Sequence, residues 1–268
     1  MNRVDRSAPL TFPPAYAGGV TSCASVLPEA QGLRVHPEGA RVGVLVIHGF
    51  TGSAASMRGW ALALADAGHA VSMPRLAGHG THWRELALTE WTDWYAGVEQ
   101  AYDELASTVD TVFVAGLSMG GALALRLAER ERVAGLMLVN PAIASDDKAF
   151  LALPVLKRVT ASIKAIGNDI ALPGQDEHAY PRTPLAAAHS MTRLWADVRG
   201  YLDQVTCPVL LMTSRVDHVV DPLSGSILEA TLPDLRRVWL ERSHHVATLD
   251  HDAALIIDES LTFVREHT

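Results

Sequence analysis

The chain has 268 residues, 49% of them apolar and 19% charged, with a formal net charge of −8. That composition excludes a disordered chain and supports one large core without covalent staples. The acidic balance offers no basic stripe for nucleic acid or an anionic membrane surface, and two cysteines without CxxC spacing, Cys23 and Cys207, exclude a disulfide framework or a cysteine zinc site.

Residues 1–20 contain Arg3 and Arg6, but Pro9, Pro13 and Pro14 interrupt the only apolar run, so no secretory signal is readable. No stretch reaches the ~18 apolar residues of a membrane span. A soluble, cytoplasmic protein is expected, monomeric or homodimeric, without nucleic-acid partners or stable membrane insertion.

From residue 41 onward β-rich runs alternate with helix-period segments. Residues 42–47 (VGVLVI) are almost continuously apolar, as in a parallel strand buried on both faces. Residues 53–67 place Met57, Trp60, Ala61, Leu64 and Ala65 at helical spacing, and Gly68 ends that pattern. Residues 70–73 form a short strand ending at Pro74, and residues 91–108 a helix with Trp91, Trp94, Tyr95, Val98, Tyr102 and Leu105 on its apolar face. A strand at 111–115 leads into a helix at 119–131. Further strands are expected at 133–139, 209–213 and 237–240, and a closing helix at 253–266.

This alternation predicts an α/β protein with a doubly wound, mostly parallel sheet covered by helices. Residues 140–204 break the rhythm: they show no convincing strand, carry five prolines, and contain short helical patches such as 150–166. An insertion of that length far exceeds the ~2–6 residues of an ordinary αβ loop. A helical lid over residues 141–203, within one domain spanning 1–268, is therefore expected.

The sharpest local signal is Gly116-Leu117-Ser118-Met119-Gly120, a G-x-S-x-G pattern set between a strand and a helix. Such a turn exposes the serine hydroxyl at the carboxyl end of the sheet. A serine needs a base to remove its proton and an acid to orient that base. Asp217 follows the strand at 209–213, and Ser243-His244-His245-Val246 follows the strand at 237–240, so both groups lie at the same edge as Ser118. The order Ser, Asp, His is that of the α/β-hydrolase fold. Adjacent histidines point in opposite directions, and spacing alone does not choose between His244 and His245.

An oxyanion formed during acyl transfer needs two donors. The backbone N–H of Met119 supplies one at a helix N-terminus. The turn His48-Gly49-Phe50-Thr51-Gly52 supplies the other through the Phe50 N–H, with His48 structural. His79 with His82, or His245 with Asp250 and His251, lack the spacing of a zinc hydrolase. No metal or cofactor is expected, and Asp250 is expected to cap the helix that follows the histidine loop.

Taken in order, His48-Gly49-Phe50-Thr51-Gly52, Pro74-Arg75-Leu76-Ala77-Gly78-His79-Gly80, Gly116-Leu117-Ser118-Met119-Gly120-Gly121, Ser214-Arg215-Val216-Asp217 and Ser243-His244-His245-Val246-Ala247-Thr248-Leu249-Asp250 resemble motifs of one family. It is that of the bacterial monoacylglycerol lipases and small thermostable carboxylesterases of the α/β-hydrolase superfamily. The resemblance extends from about residue 41 to 268. It implies Ser118 as nucleophile, His245 as base in an S-x-H-V register, Asp217 as its orienting acid, and the Phe50 and Met119 amides as oxyanion hole. It implies a structural or pocket-lining His79, and leaves open whether Asp176 or Glu177 orients the alcohol group.

The reading is a serine hydrolase of carboxylic esters with single short to medium or long acyl chains, monoacylglycerols being the expected substrates, using a small-molecule ester and no cofactor. The apolar residues Phe50 and Met119, 149–155 and 219–220 are expected to line an acyl pocket. Thioesterase, acyltransferase or C–C hydrolase chemistry on the same three residues is the alternative. A non-catalytic ligand-binding member of the fold is a further one. Epoxide hydrolases and haloalkane dehalogenases are disfavoured, because they use an aspartate nucleophile where this chain has Ser118.

Overall fold

Residues 42–47 show why the central strands are continuous apolar runs. Val44 and Val46 enter one core, Leu45 and Ile47 the other, and all four are fully buried. The computed structural model describes residues 25–268. Cys23 and the reading of residues 1–20 lie outside the described residues.

The chain runs β1 (Leu33–Val35), β2 (Val42–Ile47), α1 (Arg58–Asp66), β3 (Ala70–Met73), α2 (Trp83–Leu86), α3 (Trp91–Ala106), β4 (Thr111–Leu117), α4 (Met119–Ala128) and β5 (Gly135–Val139). There follow α5 (Ala149–Val159), β6 (Ser162–Lys164), β7 (Arg182–Pro184), α6 (Leu185–Tyr201), β8 (Val209–Ser214), α7 (Leu223–Thr231), β9 (Leu235–Leu240) and α8 (Ala253–Glu266). One sheet has the order β1-β3-β2-β4-β5-β8-β9. Its last six strands are mutually parallel, and β1 joins the edge antiparallel to β3. All the parallel strands therefore present their carboxyl ends at one edge, where an open α/β sheet binds its ligands.

Helices α1 and α8 cover one face through Trp60, Leu64, Ile256 and Phe263. Helices α3, α4 and α6 cover the other through Trp94, Val98, Leu123, Leu127, Leu194 and Val198. The buried Trp60 indole donates to Ser260 Oγ at 3.1 Å, so even the polar atom between α1 and α8 is satisfied. Among the described residues, no helix is long and apolar enough to cross a membrane.

Several local expectations are corrected. The segment 53–67 begins as a 3-10 turn, Ala54–Met57, capped by the Ser53 hydroxyl, which accepts from the Ala55 N–H at 3.3 Å; α1 starts only at Arg58. Strand β1 was not expected, because three half-buried residues carry too little alternation to register. Helix α7 was hidden by its Ser and Gly content, which is weak in helix propensity.

The segment between β5 and β8 departs most from expectation. It holds two short strands, β6 and β7, paired antiparallel through Ile163 and Thr183. The helical patch ends at Val159, where Thr160 turns extended. Helix α6 is seventeen residues long rather than short, and packs into the main core beside α3 and α4. By contrast α5 is mostly exposed, burying only Leu153.

Candidate active site

Strand β4 delivers Ser118 and α4 begins immediately after it. The serine has φ 55° and ψ −119°, a left-handed conformation that is costly for a residue with a Cβ. Such strain is on the order of 1–3 kcal/mol and persists only where the surroundings impose it. Two glycines impose it here. A Cβ on Gly116 would lie 2.4 Å from the Gly120 carbonyl oxygen, and one on Gly120 would lie 2.2 Å from that of Ile47. Strand, turn and helix approach so closely that the G-x-S-x-G pattern is a steric requirement. The Ser118 N–H is anchored to the Val139 carbonyl at 3.0 Å.

Asp217 stands three residues beyond β8, and His245 five beyond β9. The structure brings these two together: His245 Nδ1 lies 2.8 Å from Asp217 Oδ2, with both side chains about nine-tenths buried. The other carboxylate oxygen accepts the Val219 and Val220 N–H groups, each at 2.8 Å. A carboxylate held this way accepts from the ring and so fixes the Nδ1–H tautomer, which leaves Nε2 as a proton acceptor. His244 turns the other way, its Nδ1 3.4 Å from Asp169.

The histidine loop is fastened to the sheet by residues that sequence reasoning missed. Asn140, at the end of β5 with φ 43°, donates from Nδ2 to the His245 carbonyl at 2.8 Å and to Ser214 Oγ at 2.9 Å. Its Oδ1 accepts the Ser214 N–H at 2.8 Å, and Ser214 Oγ donates to the His244 carbonyl at 2.8 Å. An Asn-Pro pair directly after a buried strand was the available signal. Asp169 adds a further tie, its Oδ2 accepting the His245 N–H at 3.1 Å.

Asp250 does not cap α8; the residue preceding that helix is Asp252. The Asp250 carboxylate instead accepts the N–H groups of Ala171, Leu172, His244 and His251 at 2.7–2.9 Å. These bonds outweigh the burial that pushes its carboxyl up, and hold it below the usual range. It joins the histidine loop to residues 171–172, a long-range contact no capping pattern reveals.

Phe50 lies in the turn after β2 and faces the same cavity as Ser118, while the Met119 N–H opens α4 without an intrahelical acceptor. The Met119 side chain is in the main core, not in the cavity wall as expected. His48 holds the turn: its Nε2 accepts the Leu76 N–H at 3.2 Å, which makes Nδ1 the donor to the Gly49 carbonyl at 2.9 Å. Burial pushes its imidazole down to about 4, so it is neutral at ordinary pH. His79 is fully buried against His48 and Trp94, and burial likewise drives it well below its usual value. His82 caps α2 by accepting the Arg84 N–H at 3.2 Å.

Ser118 and His245 share a cavity of about 300 Å³. Its walls are largely apolar: Phe50 from the turn after β2, Phe150 and Leu153 from α5, Ala188 and Trp195 from α6, and Val219 from the loop after β8. The segment between β5 and β8 thus supplies much of the wall around the serine. Glu177 is the buried acid in that wall, its Oε1 accepting the Asn168 N–H at 2.7 Å. Its Oε2 faces Gly52 in the turn beside Phe50, where a Cβ would meet it at 3.4 Å. Burial raises its carboxyl above the usual value. Asp176 is exposed and bonds the His178 N–H at 2.8 Å, outside the cavity wall.

Residues 38–252 match the family model described as serine aminopeptidase, S33. The chain is 41% identical over 240 residues to a thermostable monoacylglycerol lipase of Bacillus sp. (strain H-257), covering 87% of this chain and 94% of that protein. It is 27% identical over 232 residues to a carboxylesterase of Bacillus subtilis (strain 168), covering 85% and 94%. A solved structure described under "LipS and LipT, two metagenome-derived lipolytic enzymes" superposes with a TM-score of 0.87 at 42% identity, covering 91% of this chain and all of that one.

Proposed function

The chain belongs to the serine aminopeptidase S33 family of α/β hydrolases, and on that premise we propose that it hydrolyses carboxylic esters of single acyl chains, monoacylglycerols foremost. The observation that carries this reading is the shared cavity. Ser118 and His245 open into apolar walls that suit a hydrocarbon chain, with one buried carboxyl, Glu177, at a polar spot beside the turn after β2. Its Oε1 accepts the Asn168 N–H at 2.7 Å and its Oε2 lies beside the turn that carries Phe50, where the hydroxyls of an alcohol group can reach it.

In this reading His245 Nε2 takes the Ser118 proton as Oγ attacks the ester carbonyl carbon. Asp217 holds the imidazole and offsets the charge that forms on it. The Phe50 and Met119 N–H groups stabilise the developing oxyanion, a contribution of roughly 3–4 kcal/mol per donor in comparable sites. His245 then protonates the departing alcohol. A water molecule, deprotonated by the same imidazole, releases the acid from Ser118. The segment over residues 141–203 serves as the cover: α5 and the β6–β7 pair form the outer wall, and α6 anchors it to the body.

The test is a chain-length series of p-nitrophenyl esters run beside monoacyl-, diacyl- and triacylglycerols, an acyl thioester and an aminoacyl p-nitroanilide. Monoacylglycerols and medium-chain p-nitrophenyl esters are expected to be cleaved fastest. Preference for the anilide or the thioester would overturn the substrate assignment.

A further inference from the structure

Beside the candidate active site, three side chains from separate loops converge on the solvent face. Asp169 comes from the loop between β6 and β7, His218 directly follows Asp217, and His244 directly precedes His245. Asp169 Oδ1 is 2.7 Å from His218 Nδ1 and 3.4 Å from His244 Nδ1, and the three atoms lie within 4.8 Å of one another. The two rings meet edge to face, centroids 4.7 Å apart at 89°.

The carboxylate is set for this role by its other oxygen. Oδ2 accepts the His218 and His245 N–H groups, both at 3.1 Å, which orients Oδ1 toward the imidazoles. Both imidazoles thus turn a ring nitrogen toward the same carboxylate oxygen, at 2.7 and 3.4 Å. We propose that Asp169, His218 and His244 form a binding site for a divalent transition-metal ion of the zinc class, which ties the loop after β6 to the loops that carry Asp217 and His245.

The donor set decides the class of ion. Two imidazole nitrogens and one carboxylate oxygen suit zinc, cobalt or nickel, whereas magnesium and calcium prefer oxygen ligands. Bonds of ~2.0–2.1 Å in a tetrahedral site put ligand atoms roughly 3.4 Å apart. The Asp169–His244 pair already has that separation, and the Asp169–His218 pair, at 2.7 Å, opens when the exposed His218 side chain turns outward. With the His218 side chain 57% exposed and His244 30%, the fourth position opens to water. Because all three ligands lie on loops flanking the cavity, occupancy restrains the cover against the body and slows turnover.

The test uses the full chain without a histidine tag, stripped with chelator and dialysed against zinc or cobalt chloride. One ion per chain, tetrahedral cobalt bands in the visible spectrum and a metal-dependent rise in the unfolding midpoint are expected. His244→Gln and His218→Gln should each weaken binding at least tenfold and abolish the cobalt bands, while keeping the chelator-treated unfolding midpoint. Stoichiometric binding that neither variant weakens would place the ion elsewhere and overturn the proposal, as would no binding in a large molar excess of metal. These readouts do not involve ester cleavage, so they fail or succeed separately from the proposed activity.

Discussion

Asn140 Nδ2 donates to the carbonyl of His245 at 2.8 Å across 105 residues of sequence. The same amide group bonds Ser214 through both its oxygen and its nitrogen, so the ends of β5 and β8 and the loop after β9 share one buried node. His245 is thereby held by its backbone as well as through the ring contact with Asp217.

Removing that node should misplace His245, the proposed base, without touching the cavity wall. Asn140→Ala is expected to lower kcat by about 10–100-fold with little change in KM, given how steeply rate depends on ångström-scale placement. It should also cost about 1–3 kcal/mol of stability from unpaired buried groups. Asn140→Asp keeps the acceptor for Ser214 but loses both donors, so it should not restore the rate. Steady-state kinetics with urea unfolding checks this; a normal kcat in both variants would contradict it.

The adjacent histidines should separate cleanly. His245→Ala is expected to lose roughly 10³-fold or more of kcat, and His244→Ala to retain most activity in chelator-treated buffer. The ring of His245, not that of His244, bonds Asp217. The reverse pattern in p-nitrophenyl ester assays would overturn the assignment.

The cavity wall predicts a chain-length effect. Ala188 on α6 faces the cavity and is 5% exposed. Ala188→Trp should shorten the preferred acyl chain while leaving acetate esters far less affected. An unchanged chain-length profile would mean that the acyl group lies elsewhere.

His48 gives the protein an acid limit. Its imidazole is held near 4 when folded but titrates at its ordinary value of 6.5 when unfolded. Between these values the unfolded chain takes up a proton that the folded chain refuses. The stability present above pH 6.5 is therefore lost as pH falls toward 4, by about 3 kcal/mol for this one group. His79 adds a loss of the same sign. Urea midpoints measured from pH 8 to pH 4 should fall in that window, and more shallowly in His48→Gln. A pH-independent difference between the two proteins would contradict the assignment.

The central sheet was legible because burial on both faces writes itself as unbroken apolar runs such as 42–47 and 111–115. Ser118 was legible because Gly116 and Gly120 must be small where strand and helix nearly touch. The short strands β1, β6 and β7 left no pattern, since three residues span barely one alternation. Asn140, Asp169 and Asp250 were not legible for a different reason. Each acts through hydrogen bonds to backbone groups 74–105, 49–76 and up to 79 residues away, and a backbone partner leaves no trace in the side-chain sequence. The choice of His245 over His244 likewise came from family resemblance, and the ring geometry is what gives it a physical reason.

The most direct measurement of the central claim is reaction with a long-chain alkyl fluorophosphonate, followed by intact-mass analysis and peptide mapping. One adduct per chain is predicted, located on Ser118, with loss of monoacylglycerol hydrolysis in proportion to labelling and no adduct on Ser118→Ala. An adduct on another residue, or an unlabelled protein that still cleaves monoacylglycerol, would contradict the account.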